Sequence, residues 1–123
     1  MPLYELTHTE RDPSRNRLFR FEGELLGEAS SYMHGKDRWS EMRLYRTSLD
    51  EYVVEKMGNS SRPGDSIRST IHHATTPQGA IESMQTSDDD GVVYFTRLAR
   101  TVLDQACRED PDLRYAYQVR DLT

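Results

Sequence analysis

The order of two hydrophobic patterns constrains the fold of this chain more than any other feature of its sequence. Short segments of alternating apolar and polar residues fill residues 18–73, whereas residues 92–108 place apolar side chains at helical spacing. Alternation puts apolar side chains on one face of a strand, and a spacing of three and four residues puts them on one face of a helix. The chain is therefore predicted to form its strands first and its helices last.

Five segments have the composition or alternation of strands, and turn-forming residues separate them. They are residues 3–9, 18–26, 39–47, 51–57 and 67–73, with polar loops at residues 30–37 and 58–66. Strands joined by short connections pair as hairpins. We therefore predict an N-terminal antiparallel sheet of four or five strands in meander order. Large side chains on both sides of residues 39–57 leave open which face of the sheet is buried.

Two or three helices are predicted to follow. Thr76 and Pro77 suit the first positions of a short helix that ends near residue 85. The clearest stripe lies in residues 92–108, and Asp88–Asp90 just before it are predicted to cap that helix. Asp110 and Pro111 suit the N-cap and first turn of a last helix, which is predicted for residues 112–120. Helices that cover one face of the sheet would make residues 1–123 a single α+β domain.

Composition limits the kind of protein that this chain can be. Its 123 residues suit one domain, and the formal net charge of −5 arises entirely in residues 49–123. No stretch approaches the roughly 18 apolar residues of a membrane span. The first residues have neither the basic region nor the apolar run of a signal peptide. We therefore expect a cytoplasmic protein that has no contact with membranes.

The candidates for chemistry are few. His72 and His73 are adjacent, so on a strand they would point to opposite faces and could not bind one metal ion together. Either histidine could instead line a pocket between sheet and helices, as in a small enzyme or ligand-binding domain. Cys107 falls in the last turn of the long helix, where we expect a packed side chain. No phosphate loop or nucleophile motif is present, so we predict no cofactor, no metal and no catalysis.

A second alternative is a nucleic-acid-binding accessory protein. Arg20, Arg43 and Arg68 fall on the polar sides of three different strands, and Trp39 lies near one of them. Arginines that hold phosphates beside an aromatic side chain on which bases stack would form a single-strand platform. Glutamates on the same strands offer the competing interpretation of cross-strand ion pairs on a solvated face.

Three short segments resemble small bacterial proteins that end in an E-x-L-D-I signature. They are Arg43–Thr47 (RLYRT), Tyr52–Glu55 (YVVE) and Arg120–Thr123 (RDLT), the last of which departs from the signature at its first and last positions. The resemblance covers part of the chain. It implies a bacterial or phage source and no known activity.

The leading hypothesis is a small acidic protein-binding module. An inhibitor, an immunity or antitoxin-like protein, or an accessory subunit would match the size, the acidity and the lack of catalytic motifs. Asp88, Asp89 and Asp90 are the predicted contacts for another protein, one with a basic surface.

Overall fold

The first half of the chain forms one curled antiparallel sheet. In this computed structural model, which describes residues 1–119, five strands pair in the order β1-β2-β3-β4-β5. Their bounds are β1 Leu3–His8, β2 Arg17–Ser30, β3 Arg38–Thr47, β4 Tyr52–Ser60 and β5 Arg68–Ala74. All four pairings are antiparallel. The predicted α+β fold with an N-terminal meander is confirmed.

The sheet curls until its two edge strands approach each other. The backbone N–H of Thr9, just after β1, donates to Ser69 O at 2.9 Å. The N–H of Ser69 donates in return to Thr9 Oγ1 at 2.8 Å, and the N–H of Ile71 donates to His8 Nδ1 at 3.0 Å. We call this contact the seam. The sheet is therefore a half-barrel with an inner face and an outer face.

Three helices cover the outer face. They are α1 Pro77–Met84, α2 Arg97–Glu109 and α3 Pro111–Gln118. Leu44, Tyr52 and Val54 of the sheet are fully buried against them. The strand β2 has an irregular register between Leu25 and Gly27, and at Gly27 it meets the backbone of α2. The predicted packing of helices on one face is thus the observed one.

The inner face carries a second, smaller core. Its buried members are Leu6, Tyr45, Val53 and Ile71, and half-buried aromatic residues of β1 and β2 pack against them. The ring centroid of Tyr45 lies 4.7 Å from that of Tyr4 and 5.3 Å from that of Phe21. Both faces of the sheet are therefore buried, which explains why large side chains occur on both sides of β3 and β4.

The prediction that Asp88–Asp90 cap the long helix is wrong. These residues form the turn of a hairpin between two further strands, β6 Thr86–Ser87 and β7 Val93–Tyr94. Asp88 Oδ1 accepts the backbone N–H groups of Asp90 and Val92, both at 2.9 Å. Gly91 completes the turn with a φ of 82°, a conformation that costs glycine little.

The helix α2 accordingly begins five residues later than predicted, at Arg97. Thr96 is its N-cap, and its hydroxyl accepts the backbone N–H of Ala99 at 3.1 Å. The threonine hydroxyl thus satisfies a free N–H of the first turn, the role that was predicted for an aspartate. The apolar residues 92–94 that seemed to extend the helical stripe belong to the hairpin instead.

Other element boundaries shift by fewer residues. The strand β4 continues through Gly58 to Ser60, where a loop was predicted, because Gly58 pairs with Ser40 on one side and Arg68 on the other. A glycine weakens a strand, but hydrogen-bonded pairing with neighbouring strands on both sides keeps Gly58 in the strand conformation. The helix α3 ends at Gln118, and residues 120–123 lie outside the described part of the chain.

Candidate functional sites

A cavity of about 340 Å³ opens on the inner face of the half-barrel. Phe19 and Phe21 of β2 form one side, and Val53 of β4 forms another. The turn between β3 and β4 contributes Leu49 and Glu51, and His73 comes from β5. The cavity is thus built from three strands and a turn that the curl of the sheet brings together, and its walls are mainly apolar.

Glu51 and His73 form the polar part of this cavity, which we call the Glu51–His73 cavity. The carboxylate Oε1 of Glu51 lies 2.8 Å from Nε2 of His73, with the side chains 30% and 49% exposed. Thr47 Oγ1 accepts the backbone N–H groups of Leu49 and Glu51, each at 3.2 Å. The threonine therefore fixes the turn that carries the carboxylate.

The two adjacent histidines lie on opposite faces of β5. His72 is paired with Val54 on the outer face, and His73 is paired with Val53 on the inner face. The cavity at His73 is consequently on the side of the sheet away from the helices. The predicted location between sheet and helices is wrong, because the curl of the sheet, rather than the helix layer, creates the concave surface.

His72 occupies a half-buried position that disfavours its charged form. Burial lowers the pKa of His72 below its ordinary value, and the positive charges of Lys56 and His8 lower it further. Burial likewise lowers the pKa of Lys56. His72 is therefore a neutral component of the outer face at neutral pH.

This shift predicts a loss of stability in mild acid. The unfolded chain binds a proton at His72 from about pH 6.5 downward, before the folded protein does, so the free energy of unfolding falls as the pH falls through that range. The change His72→Gln should flatten the dependence between about pH 7 and 5, measured by urea unfolding. The change His34→Gln in an exposed loop is the matched control. Equal slopes for the two variants would contradict the prediction.

A charged network with one buried carboxylate, that of Glu55, lies beside the inner core. Arg43 contacts Glu28 at 3.1 Å and the buried Glu55 at 3.3 Å. The hydroxyl of Tyr45 donates to Glu55 at 3.3 Å, and burial and the Glu55 charge raise the pKa of Tyr45. Every charge in this network has a partner of opposite sign or a hydrogen bond. Its geometry is that of a structural ion pair.

A second network joins the sheet to the helices. Asp110 is 1% exposed, and its carboxylate accepts hydrogen bonds from the hydroxyl of Tyr52 and from Arg46, both at 2.8 Å. The same carboxylate caps α3 by accepting the N–H groups of Asp112 and Leu113. The sequence identified Asp110 as a helix cap, but the two partners from the sheet could not be read from it.

The four residues predicted for nucleic-acid binding do not form one surface. Trp39 and Arg68 line an open polar groove, which also contains Asp65. Arg20 is on the outer face of β2, where it pairs with Glu5 at 2.7 Å. Arg43 is engaged in the inner-face network. The structure thus brings Trp39 and Arg68 together in one groove. Arg20 and Arg43 instead form ion pairs with glutamates.

The hairpin of residues 86–94, which we call the acidic hairpin, is exposed along its length. Asp88, Asp89 and Asp90 all lie at the surface. Behind them Val92, Val93 and Tyr94 are 57%, 56% and 45% exposed. Among the elements of residues 1–119, β6 and β7 pair mainly with each other. Each strand therefore keeps one edge unpaired.

The surroundings of Cys107 disfavour its thiolate form. Cys107 is half-buried, and burial raises the pKa of its thiol, which lowers the fraction of reactive thiolate.

In the described residues 1–119, no three metal-binding side chains come close enough to hold an ion. Of the helices in this range, none has the length and apolar character that crossing a membrane requires.

Glu51 is the residue that sequence reasoning missed. It is the first residue of the predicted strand 51–57, and nothing in its neighbours indicates a partner twenty-two positions away. A charged residue between a turn and an apolar strand was the only available signal.

Comparison with known proteins does not indicate a function, since no family model, no curated protein and no solved structure matches this chain.

Proposed function

We propose that this protein is a binding module without catalysis that contacts a basic partner protein through the acidic hairpin. An inhibitor, an immunity or antitoxin-like protein, or an accessory subunit of a bacterial or phage system would work in this way. The observation that supports the proposal is the combination of three exposed carboxylates with three exposed apolar side chains on one projecting hairpin.

The two kinds of side chain have different roles in association. Carboxylates attract a basic surface over a distance and so raise the association rate. Apolar and aromatic side chains contribute buried area once contact is made, and tyrosine is enriched among the residues that dominate binding energy. Val93 and Tyr94 lie directly behind the charged turn, so one partner surface can contact both groups.

The backbone of the hairpin adds a third means of recognition. Because β6 and β7 form a separate two-stranded sheet, each has an edge whose N–H and C=O groups face away from the other strand. An extended segment of a partner can pair with such an edge through main-chain hydrogen bonds. The turn residues that follow Asp88 then lie at the end of that interface.

The test starts with purification of the native protein together with its partner and continues with the purified pair. Asp89→Lys with Asp90→Lys reverses two charges while keeping Asp88, whose carboxylate holds the turn. We expect association at low salt to slow by about tenfold or more, and the effect to shrink at high salt. Surface plasmon resonance at two ionic strengths measures both rates.

The matched control is Glu82→Lys with Asp104→Lys, which reverses two exposed charges on α1 and α2. It changes the net charge equally but leaves the hairpin intact. Tyr94→Ala should instead accelerate dissociation. Equal slowing by both double variants would show that net charge alone matters, and unchanged binding by the hairpin variants would rule out the hairpin as the contact surface.

A further inference from the structure

We propose that the Glu51–His73 cavity binds a small organic amine, with its apolar body between Phe19, Phe21 and Val53 and its ammonium group on the Glu51 carboxylate. This site is independent of the acidic hairpin, which lies on a different part of the molecule.

The size and lining of the cavity are those of a small-ligand site. Its volume of about 340 Å³ lies at the lower end of the roughly 300–1,000 Å³ typical of such sites. Phe19 and Phe21 are two residues apart on β2, so both rings point to the inner face, where they remain half-buried. Part of each aromatic surface is thus available for an apolar or aromatic group.

The charges at the cavity favour a cation. Glu51 is half-buried and contacts His73, but a carboxylate can accept about four hydrogen bonds, so it retains capacity for an ammonium group. Arg20 and Glu22 also border the cavity, but they alternate with Phe19 and Phe21 along β2, so their side chains point to the outer face. The guanidinium of Arg20 is held by Glu5 at 2.7 Å on the outer face. The Glu51 carboxylate is therefore the acidic group on the inner-face side of the cavity.

The aromatic side chains strengthen this preference. The face of an aromatic ring attracts a cation electrostatically, and the attraction grows where water is excluded. An ammonium group near Glu51 would have the rings of β2 across the cavity. A ligand carboxylate, in contrast, would be repelled by the Glu51 carboxylate.

The experiment titrates the intact protein with three probes of one shape: phenethylamine, phenethyl alcohol and 3-phenylpropionate. Backbone amide NMR shifts report where each probe binds. We expect phenethylamine to shift the amides of residues 19–22, 47–53 and 73, and to bind about tenfold or more tightly than the carboxylate, because hydrogen bonds to a charged group contribute that much. Shifts elsewhere, or tighter binding of the carboxylate, would overturn the proposal.

Two variants separate the charge from the shape of the cavity. Glu51→Gln keeps the size of the side chain and should reduce amine affinity by about tenfold while leaving the affinity for the alcohol unchanged. Glu82→Gln on α1 removes the same charge at an exposed position and should leave all affinities unchanged. Equal amine affinity for the two variants would refute the role of Glu51. Shift mapping on the unaltered protein decides the location even if Glu51→Gln is unstable.

Discussion

The change Asp110→Ala is expected to lower the free energy of unfolding by about 3–5 kcal/mol, the cost of removing one partner from a buried charge pair. Asp110 holds Arg46 and the hydroxyl of Tyr52 at 2.8 Å each and caps α3 with its other hydrogen bonds. The variant leaves a buried hydroxyl without its acceptor and an arginine without its buried anion. Urea unfolding monitored by circular dichroism measures the loss.

Two further variants divide this loss into its parts. Tyr52→Phe removes only the hydroxyl bond and should cost about 1–2 kcal/mol. Asp112→Ala removes the exposed ion pair that Arg46 makes at 3.0 Å with a side chain 66% exposed, and it should cost about 1 kcal/mol or less. If Asp110→Ala cost no more than Asp112→Ala, the buried network would not stabilise the junction of sheet and helices.

The second large effect is expected at Gly27. A Cβ atom built on Gly27 would lie 2.6 Å from the carbonyl oxygen of Val102 and 3.3 Å from Cβ of Gln105, both on α2. Backbone atoms cannot move aside as a flexible side chain can, so Gly27→Ala would push the helix off the sheet. We expect the free energy of unfolding to fall by about 1–3 kcal/mol, and by more for Gly27→Val.

Gly58→Ala is the matched control for the added methyl group. Gly58 is also within a strand, but nothing lies within 4 Å of a Cβ built there. The free energy of unfolding of the Gly58→Ala variant should differ from that of the unaltered protein by about 0.5 kcal/mol or less. A similar loss at both positions would mean that strand conformation, rather than the contact with α2, determines the effect at Gly27.

Most of the fold could be predicted from the sequence because it depends on patterns of residues that are close together along the chain. The strands follow one another through short turns, and the stripe of α2 includes Ala99, Val102, Leu103 and Ala106, all of which are buried. Residues 92–94 of the acidic hairpin were predicted as the start of this helix because Val92 falls in phase with the stripe by chance. Asp88–Asp90 suit a helix cap and a turn equally well, so the sequence alone did not decide between them.

The candidate sites were less accessible to sequence reasoning. Alternation along β5 correctly separated His72 from His73, but it could not say which histidine faces a cavity. That depends on how far the sheet curls, which β2 influences through its irregular register near Gly27. The contact between Glu51 and His73 depends further on the register of β4 with β5, which no single strand encodes.

The seam also has a consequence for how the molecule assembles. Each strand pairing joins neighbours along the chain, whereas Thr9 and Ser69 are sixty positions apart. Joining distant segments costs more chain entropy than closing a hairpin turn, so the ladder of five strands can form and receive its helices while the seam is still open. Phe19 and His73 lie on strands adjacent to or at this seam. We therefore expect the Glu51–His73 cavity to be completed late in folding and to be lost early when the half-barrel opens locally at the seam.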